Sequence, residues 1–239
     1  MTAAERSPIL AFGAHPDDIE FGCGAVIARE TQAGRAAHFV VGSHGEAGTH
    51  GTARQRTAEA KKGAARLGAT LEFVDLGGDA HLEASRAHAL KLAAIIRRVR
   101  PAVVLAPTPV ENQHPDHAAV GRMVRDAARL ARYGGVRELR RPAHAIDQLL
   151  FYAVTVEGEP PGVAPVLIDI STPTVLIAWK EAMETHASQA ETRHYLGLLF
   201  ARASMLGQRC GVTMAAALYP NDPLVFPSLA ALGRAARQF

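Results

Sequence analysis

Short apolar runs alternate with longer amphipathic stretches through the first half of this chain. Residues 8–12 are apolar and of strand length, and 23–32 carry helical spacing up to a stop at Gly34. A second strand is predicted over 38–42, followed by a loop rich in glycine and histidine over 43–52. A helix over 53–67 stops at Gly68, and a third strand follows over 71–76. The stretch 84–99 predicts a helix with Leu90, Ala94, Ile95 and Val99 on its apolar face, closed by Pro101. Residues 102–106 are continuously apolar, as in a strand buried on both faces of a parallel sheet, and a helix follows over 117–131. This alternation predicts an α/β fold: a Rossmann-like, doubly wound, mostly parallel sheet with helices on both faces. Beyond Gly134 the pattern changes, with strands expected over 148–156 and 163–170 and helices over 173–184 and 191–206. No long polar linker and no internal repeat interrupts the chain. Residues 1–239 therefore read as a single domain, with 134–239 a C-terminal extension packed on it.

With 239 residues, 48% of them hydrophobic and 21% charged, the chain can bury a sizeable core without staples. Cys23 and Cys210 are too few for a disulfide framework, and the run Ile9-Leu10-Ala11-Phe12 is too short for a signal peptide. No apolar segment approaches the ~20 residues of a transmembrane helix. A cytoplasmic protein with reduced thiols and no membrane partner is expected. The formal charge of +3 is spread along the chain. Its densest basic stretch, 132–141, is broken by Gly134-Gly135 and reads as a solvated loop, so no nucleic-acid partner is expected.

Two runs turn a generic α/β chain into a candidate enzyme. Ala14-His15-Pro16-Asp17-Asp18-Ile19-Glu20 follows the first strand-like stretch, and His114-Pro115-Asp116-His117 follows another. In open α/β sheets, ligands bind outside the carboxyl ends of the strands. Histidine nitrogen and carboxylate oxygen both suit Zn²⁺, and a catalytic zinc site takes three protein ligands and leaves one position open. His15 and Asp18, three apart on a turn opening a helix, can point to one spot, and His117 is the natural third ligand. The same set suits Fe²⁺ as the alternative metal. Asp17 diverges from its neighbour Asp18 and is better placed as a general base for a water. His114 is left to stabilise an oxyanion or protonate a leaving nitrogen, with Asp116 holding its imidazole in one tautomer and favouring its charged form. Taken alone, Asp17 and Asp18 would read as helix caps; the second run is what favours the metal. Gly22-Cys23-Gly24 starts like a dinucleotide fingerprint, but Ile27 stands where its third glycine belongs. From another class, a non-catalytic Rossmann-like binding protein remains the alternative, and the two intact runs argue against it.

These two runs together resemble the PIG-L / LmbE-like family of zinc-dependent N-deacetylases. Weaker matches resemble its bacillithiol-biosynthesis branch, which deacetylates N-acetylglucosaminyl malate. They are Gly45-Glu46-Ala47-Gly48-Thr49, Arg56 with Glu59-Ala60, Lys180 through Ser188-Gln189, Ala201-Arg202-Ala203 to Gly211-Val212, and Pro223-Leu224-Val225 as a closing strand. The resemblance implies zinc ligands at His15, Asp18 and His117, a general base at Asp17, and stabilisation of the tetrahedral intermediate by His114, oriented by Asp116. It also implies that Arg56 grips sugar hydroxyls or an aglycone acid. The substrate would be a small N-acetylated sugar, and the protein a homo-oligomer, trimer or hexamer. An aminoglycoside precursor or a chitin fragment is the alternative substrate. Cys23 departs from the family's usual residue and reads as a core thiol, while His44 and His50 have no assigned role. Specificity is expected to sit in 43–52 and in 134–146.

Overall fold

The computed structural model describes residues 7–112, 114–190 and 194–236. Elements follow in the order β1 (Ile9–Gly13), α1 (Asp18–Gln32), β2 (Ala37–Val41), α2 (Ala53–Arg66), β3 (Ala69–Phe73), α3 (Arg86–Val99), β4 (Val103–Pro107) and α4 (Pro115–Arg132). Then come β5 (Gln148–Tyr152), β6 (Val166–Asp169), α5 (Pro173–Glu184), the short α6 (Ala187–Ala190), α7 (Tyr195–Cys210) and β7 (Ala215–Pro220). They build one seven-stranded sheet of order β3-β2-β1-β4-β5-β7-β6. The first five strands are parallel, whereas β7 runs antiparallel to both β5 and β6. The doubly wound α/β architecture expected from the alternation is thus present, with an antiparallel edge added by the last third of the chain.

Continuously apolar strands are consistent with burial on both faces. Leu10, Phe12, Val40, Val104 and Ala106 point to one side and pack with Leu92, Ala93 and Ile96 of α3 and Val120, Met123 and Val124 of α4. Ile9, Ala11, Phe39, Val41 and Leu105 point to the other, against Ile27 of α1 and Val175, Trp179 and Met183 of α5. Trp179 and Cys23 are core residues, as expected.

Four expectations need correction. The fully buried face of α3 centres on Ala89, Leu92, Ala93 and Ile96, spaced i, i+3, i+4, i+7; of the four residues expected there Ile95 is buried, Leu90 and Val99 pack against the core at its margin, and Ala94 is exposed. The closing strand is β7, at Ala215–Pro220, and Pro223-Leu224-Val225 lies in irregular chain beyond it. The last long helix runs Tyr195–Cys210, and the expected start at 191 lies outside the described residues. Finally, 134–146 is the return from α4 to β5. Because β5 is parallel to β4, that return must reach the N-terminal edge of the sheet, and there His144 Nε2 bonds the Pro101 carbonyl oxygen at 2.7 Å. The buried Arg97 fixes this segment by donating to the carbonyls of Ala131, Tyr133, Leu139 and Arg141. It therefore cannot line a site at the opposite edge. No described helix is long and apolar enough to cross a membrane.

Candidate metal centre

The strand order reverses between β1 and β4, which makes their carboxyl ends the topological switch point of the sheet. β1 ends at Gly13 and turns through residues 14–17 directly into α1. Beyond β4, His114 caps α4, with Pro115 in its first turn. Asp17 occupies the cap position of α1 at φ 126°, yet its carboxylate makes no capping hydrogen bond. A non-glycine residue in that region costs on the order of 1–3 kcal/mol and is typical of functional sites. The Asp17 side chain therefore does not cap the helix; its carboxylate faces Arg56 at 3.4 Å and lines a cavity of about 680 Å³.

His15, Asp18 and His117 converge as a buried donor triangle. His117 Nε2 lies 2.9 Å from Asp18 Oδ1 and 3.2 Å from His15 Nδ1, and His15 Nδ1 lies 3.6 Å from Asp18 Oδ2. Tetrahedral zinc with bonds of about 2.0–2.1 Å separates its ligand atoms by about 3.3 Å, so the triangle has the size a metal ion needs. Tautomers agree. His15 Nε2 is 3.0 Å from Asp79 Oδ1 and 3.2 Å from Asp116 Oδ2, so it carries the proton and leaves the Nδ1 lone pair facing the other donors. Asp18 Oδ2 also accepts the backbone N–H groups of Ala14 and His15, which locks the turn.

Charge balance makes the same point. Burial works against the charged form of His15, but the carboxylates of Asp18, Asp116 and Asp79 outweigh it and hold its pKa well above the ordinary value. Burial disfavours the Asp18 carboxylate too, yet His117 and His15 bring its pKa well below normal. So many carboxylates around one imidazole call for a cation, either a proton on His15 or a metal between the donors. Asp17 is pushed up to about 6 by burial and by Asp18, against the pull of Arg56 and His186.

One expected contact differs. The Asp116 carboxylate does not orient His114; it accepts from His15 Nε2 and from the Ala80 amide at 2.8 Å. His114 is held instead by the Asp116 backbone amide, which donates to its Nδ1 at 3.2 Å. That bond places the ring proton on Nε2 and presents an uncharged N–H donor. Burial and the neighbouring His15 and His117 lower the His114 pKa, which also favours the neutral form. Arg56 is buried, and its donors go to the Gly45 and Pro16 carbonyls and to Asp17. Gly45, at φ 71°, makes this approach; a Cβ there would sit 2.4 Å from the guanidinium.

Asp79 is the site residue that the sequence did not reveal. It follows β3 and a Gly77-Gly78 turn, and its second oxygen accepts the Ala47 amide, tying loop 43–52 to His15. Glu46 fastens the same loop by accepting the Asp79 and His44 amides. Within that loop Ala47 to His50 line the cavity. His44 instead stacks on Phe73, with ring centroids 4.4 Å apart, and the His50 carbonyl is held by Gln189 Nε2.

A doubly wound sheet with a His₂Asp donor set at its switch point defines an α/β protein with a candidate metal centre. Residues 10–128, which hold the donor triangle together with Asp17, Arg56, Asp79, His114 and Asp116, match the family model described as PIG-L: GlcNAc-PI de-N-acetylase. The chain is 32% identical over 123 residues to the diacetylchitobiose deacetylase of Thermococcus kodakarensis, covering 47% of this chain and 46% of that protein. It is 30% identical over 149 residues to the 4-oxalmesaconate hydratase of Pseudomonas putida, covering 57% of each. The chain thus spans about half the length of these curated relatives. Among solved structures, the conserved protein TT1542 from Thermus thermophilus superposes with a TM-score of 0.80 at 28% identity, covering 92% of this chain and 97% of that one.

Proposed function

We propose that this protein is a metal-dependent N-deacetylase of a small N-acetylglucosamine-type glycoconjugate, the class that includes N-acetylglucosaminyl malate, aminoglycoside precursors and chitin fragments. The observation that carries the reading is the donor triangle of His15, Asp18 and His117 with Asp17 beside it in the same cavity. Zn²⁺, or Fe²⁺ in its place, would be held by those three residues and would supply Lewis acidity at the amide carbonyl and acidify a water. Asp17, with a pKa raised toward neutrality, takes a proton from the attacking water and returns it to the departing nitrogen. His114 donates Nε2–H to the oxyanion of the tetrahedral intermediate. Asp116 and Asp79 hold the His15 ring, and Arg56 holds Asp17.

The hydratase relative supports a second reading, water addition to an unsaturated polycarboxylate. Such a substrate needs several cations, and Arg56 is the one lysine or arginine among the described residues that line the cavity. Metal-loaded protein should release equimolar acetate and free amine from N-acetylglucosamine or its glycosides. No acetate from any of them, with loss of ultraviolet absorbance from an unsaturated oxo-dicarboxylate, would replace this reading with the hydratase one.

A further inference from the structure

The cavity has two unlike sets of lining residues. Around the donor triangle it is polar, with Arg56, Asp79 and His114. Its apolar lining comes from Phe21, Val154 and three residues of α7, namely Tyr195, Leu198 and Leu199. Those three are spaced i, i+3, i+4 and so occupy one face of the helix. Phe21 and Leu199 are buried, the Phe21 and Tyr195 rings lie 5.8 Å apart, and Leu198 is 42% exposed at the mouth. The wall is fixed in place. Arg202, one turn further along α7, donates to the Ala153 carbonyl at 3.0 Å and pairs with Glu159 at 2.8 Å, clasping α7 to the segment that carries Val154.

The charges lining the cavity disfavour an acidic ligand. Glu157, bonded by the Thr155 hydroxyl, stands at the cavity edge, and Asp17 and Asp79 line its interior. Arg56 already serves Asp17 and two backbone carbonyls. An anionic group here would meet Glu157 with no arginine or lysine besides Arg56 among the described residues that line the cavity, whereas an apolar group would leave water for a ready-made apolar wall.

We propose that the α7 side of the cavity is a subsite for an uncharged apolar aglycone, an aryl or short alkyl group linked to the N-acetylated sugar, and that Phe21, Tyr195, Leu198 and Leu199 set this preference. The inference rests on the deacetylase reading and narrows its substrate away from a dicarboxylate such as malate. The test compares acetate release by the metal-loaded enzyme from N-acetylglucosamine, its phenyl and hexyl β-glycosides, and N-acetylglucosaminyl malate. Burying a phenyl-sized group predicts kcat/KM about 30-fold above the free sugar for the apolar glycosides. The malate glycoside should do no better than the free sugar. Leu198→Asp should collapse the ratio of phenyl glycoside to free sugar to below about threefold, and Leu198→Lys should shift preference toward malate. Equal kcat/KM across the glycosides, a wild-type preference for malate, or a ratio unmoved by Leu198→Asp would overturn the subsite alone. No acetate from any of the four would overturn the deacetylase reading and the subsite with it.

Discussion

Replacing Arg56 by methionine separates two roles that a buried arginine in an active-site cavity can have. In the structure Arg56 Nη2 lies 3.4 Å from Asp17 Oδ2, with both side chains largely shielded from water. At an effective dielectric of ~20 the pair is worth about 5 kcal/mol before desolvation, most of which the burial of two charges takes back. About 2 kcal/mol net remains, and loss of the bonds to the Gly45 and Pro16 carbonyls removes about 1 kcal/mol more. Arg56→Met should therefore cost about 3 kcal/mol and lower Tm by about 6–12 °C for a chain of this size. Without its partner, Asp17 loses its aim, and a misplacement of ~1 Å costs on the order of 100-fold in kcat. Steady-state acetate release should show that drop in kcat with KM changed by less than about threefold. The opposite split, a KM raised tenfold or more with kcat retained, would show that Arg56 grips substrate and would refute its role as a positioning residue.

Three other outcomes follow from named contacts. His117→Ala removes one corner of the donor triangle, so the metal content of purified protein should fall from about one per chain toward zero; full occupancy would exclude His117 as a ligand. His186 is fully buried 3.4 Å from Glu20, and His186→Gln leaves that carboxylate without its cation at a cost of ~3 kcal/mol. Burial lowers the His186 pKa, but Glu20 outweighs it and the folded value lies above the ordinary 6.5. The stabilisation is therefore complete below the unfolded value and is lost as pH rises through the folded one, so denaturant midpoints should show a larger penalty near about pH 6 than near about pH 9. Equal penalties would contradict the charged pair. Gly63→Ala would put a Cβ 2.6 Å from Glu20 Oε1 and 3.0 Å from His186 Nε2, so it should destabilise despite a helix-propensity gain of ~1 kcal/mol. A rise in Tm would show that the pair has room to move.

The donor triangle was legible because both motif runs follow strands, and parallel strands bring their carboxyl ends to one edge of the sheet. Asp79 was not, because one aspartate after Gly77-Gly78 reads as a turn residue; its function arises from where β3 sits beside β2, a tertiary fact. The unexpected contact of Asp116 has a local cause. Two residues into α4, its amide is one of the orphan donors of the helix start and meets the His114 ring, which turns its carboxylate toward β3 and His15. Residues 215–218, three alanines and a leucine, have little intrinsic strand preference, and β7 exists because β5 and β6 pair with it on either side. By contrast, the misplacement of 134–146 was avoidable. Once β5 is taken as parallel to β4, the segment before it must lie at the edge away from the site.

Acetate release and metal content measured together on Asp17→Asn test the central claim most directly. The amide side chain would keep the shape of the turn and leave His15, Asp18 and His117 untouched, while removing the carboxylate to which the proton transfer is assigned. The account predicts metal content equal to wild type and kcat reduced by about 10²–10⁴-fold. Undiminished kcat at full metal content would contradict it, because proton transfer would then belong to another group in the cavity.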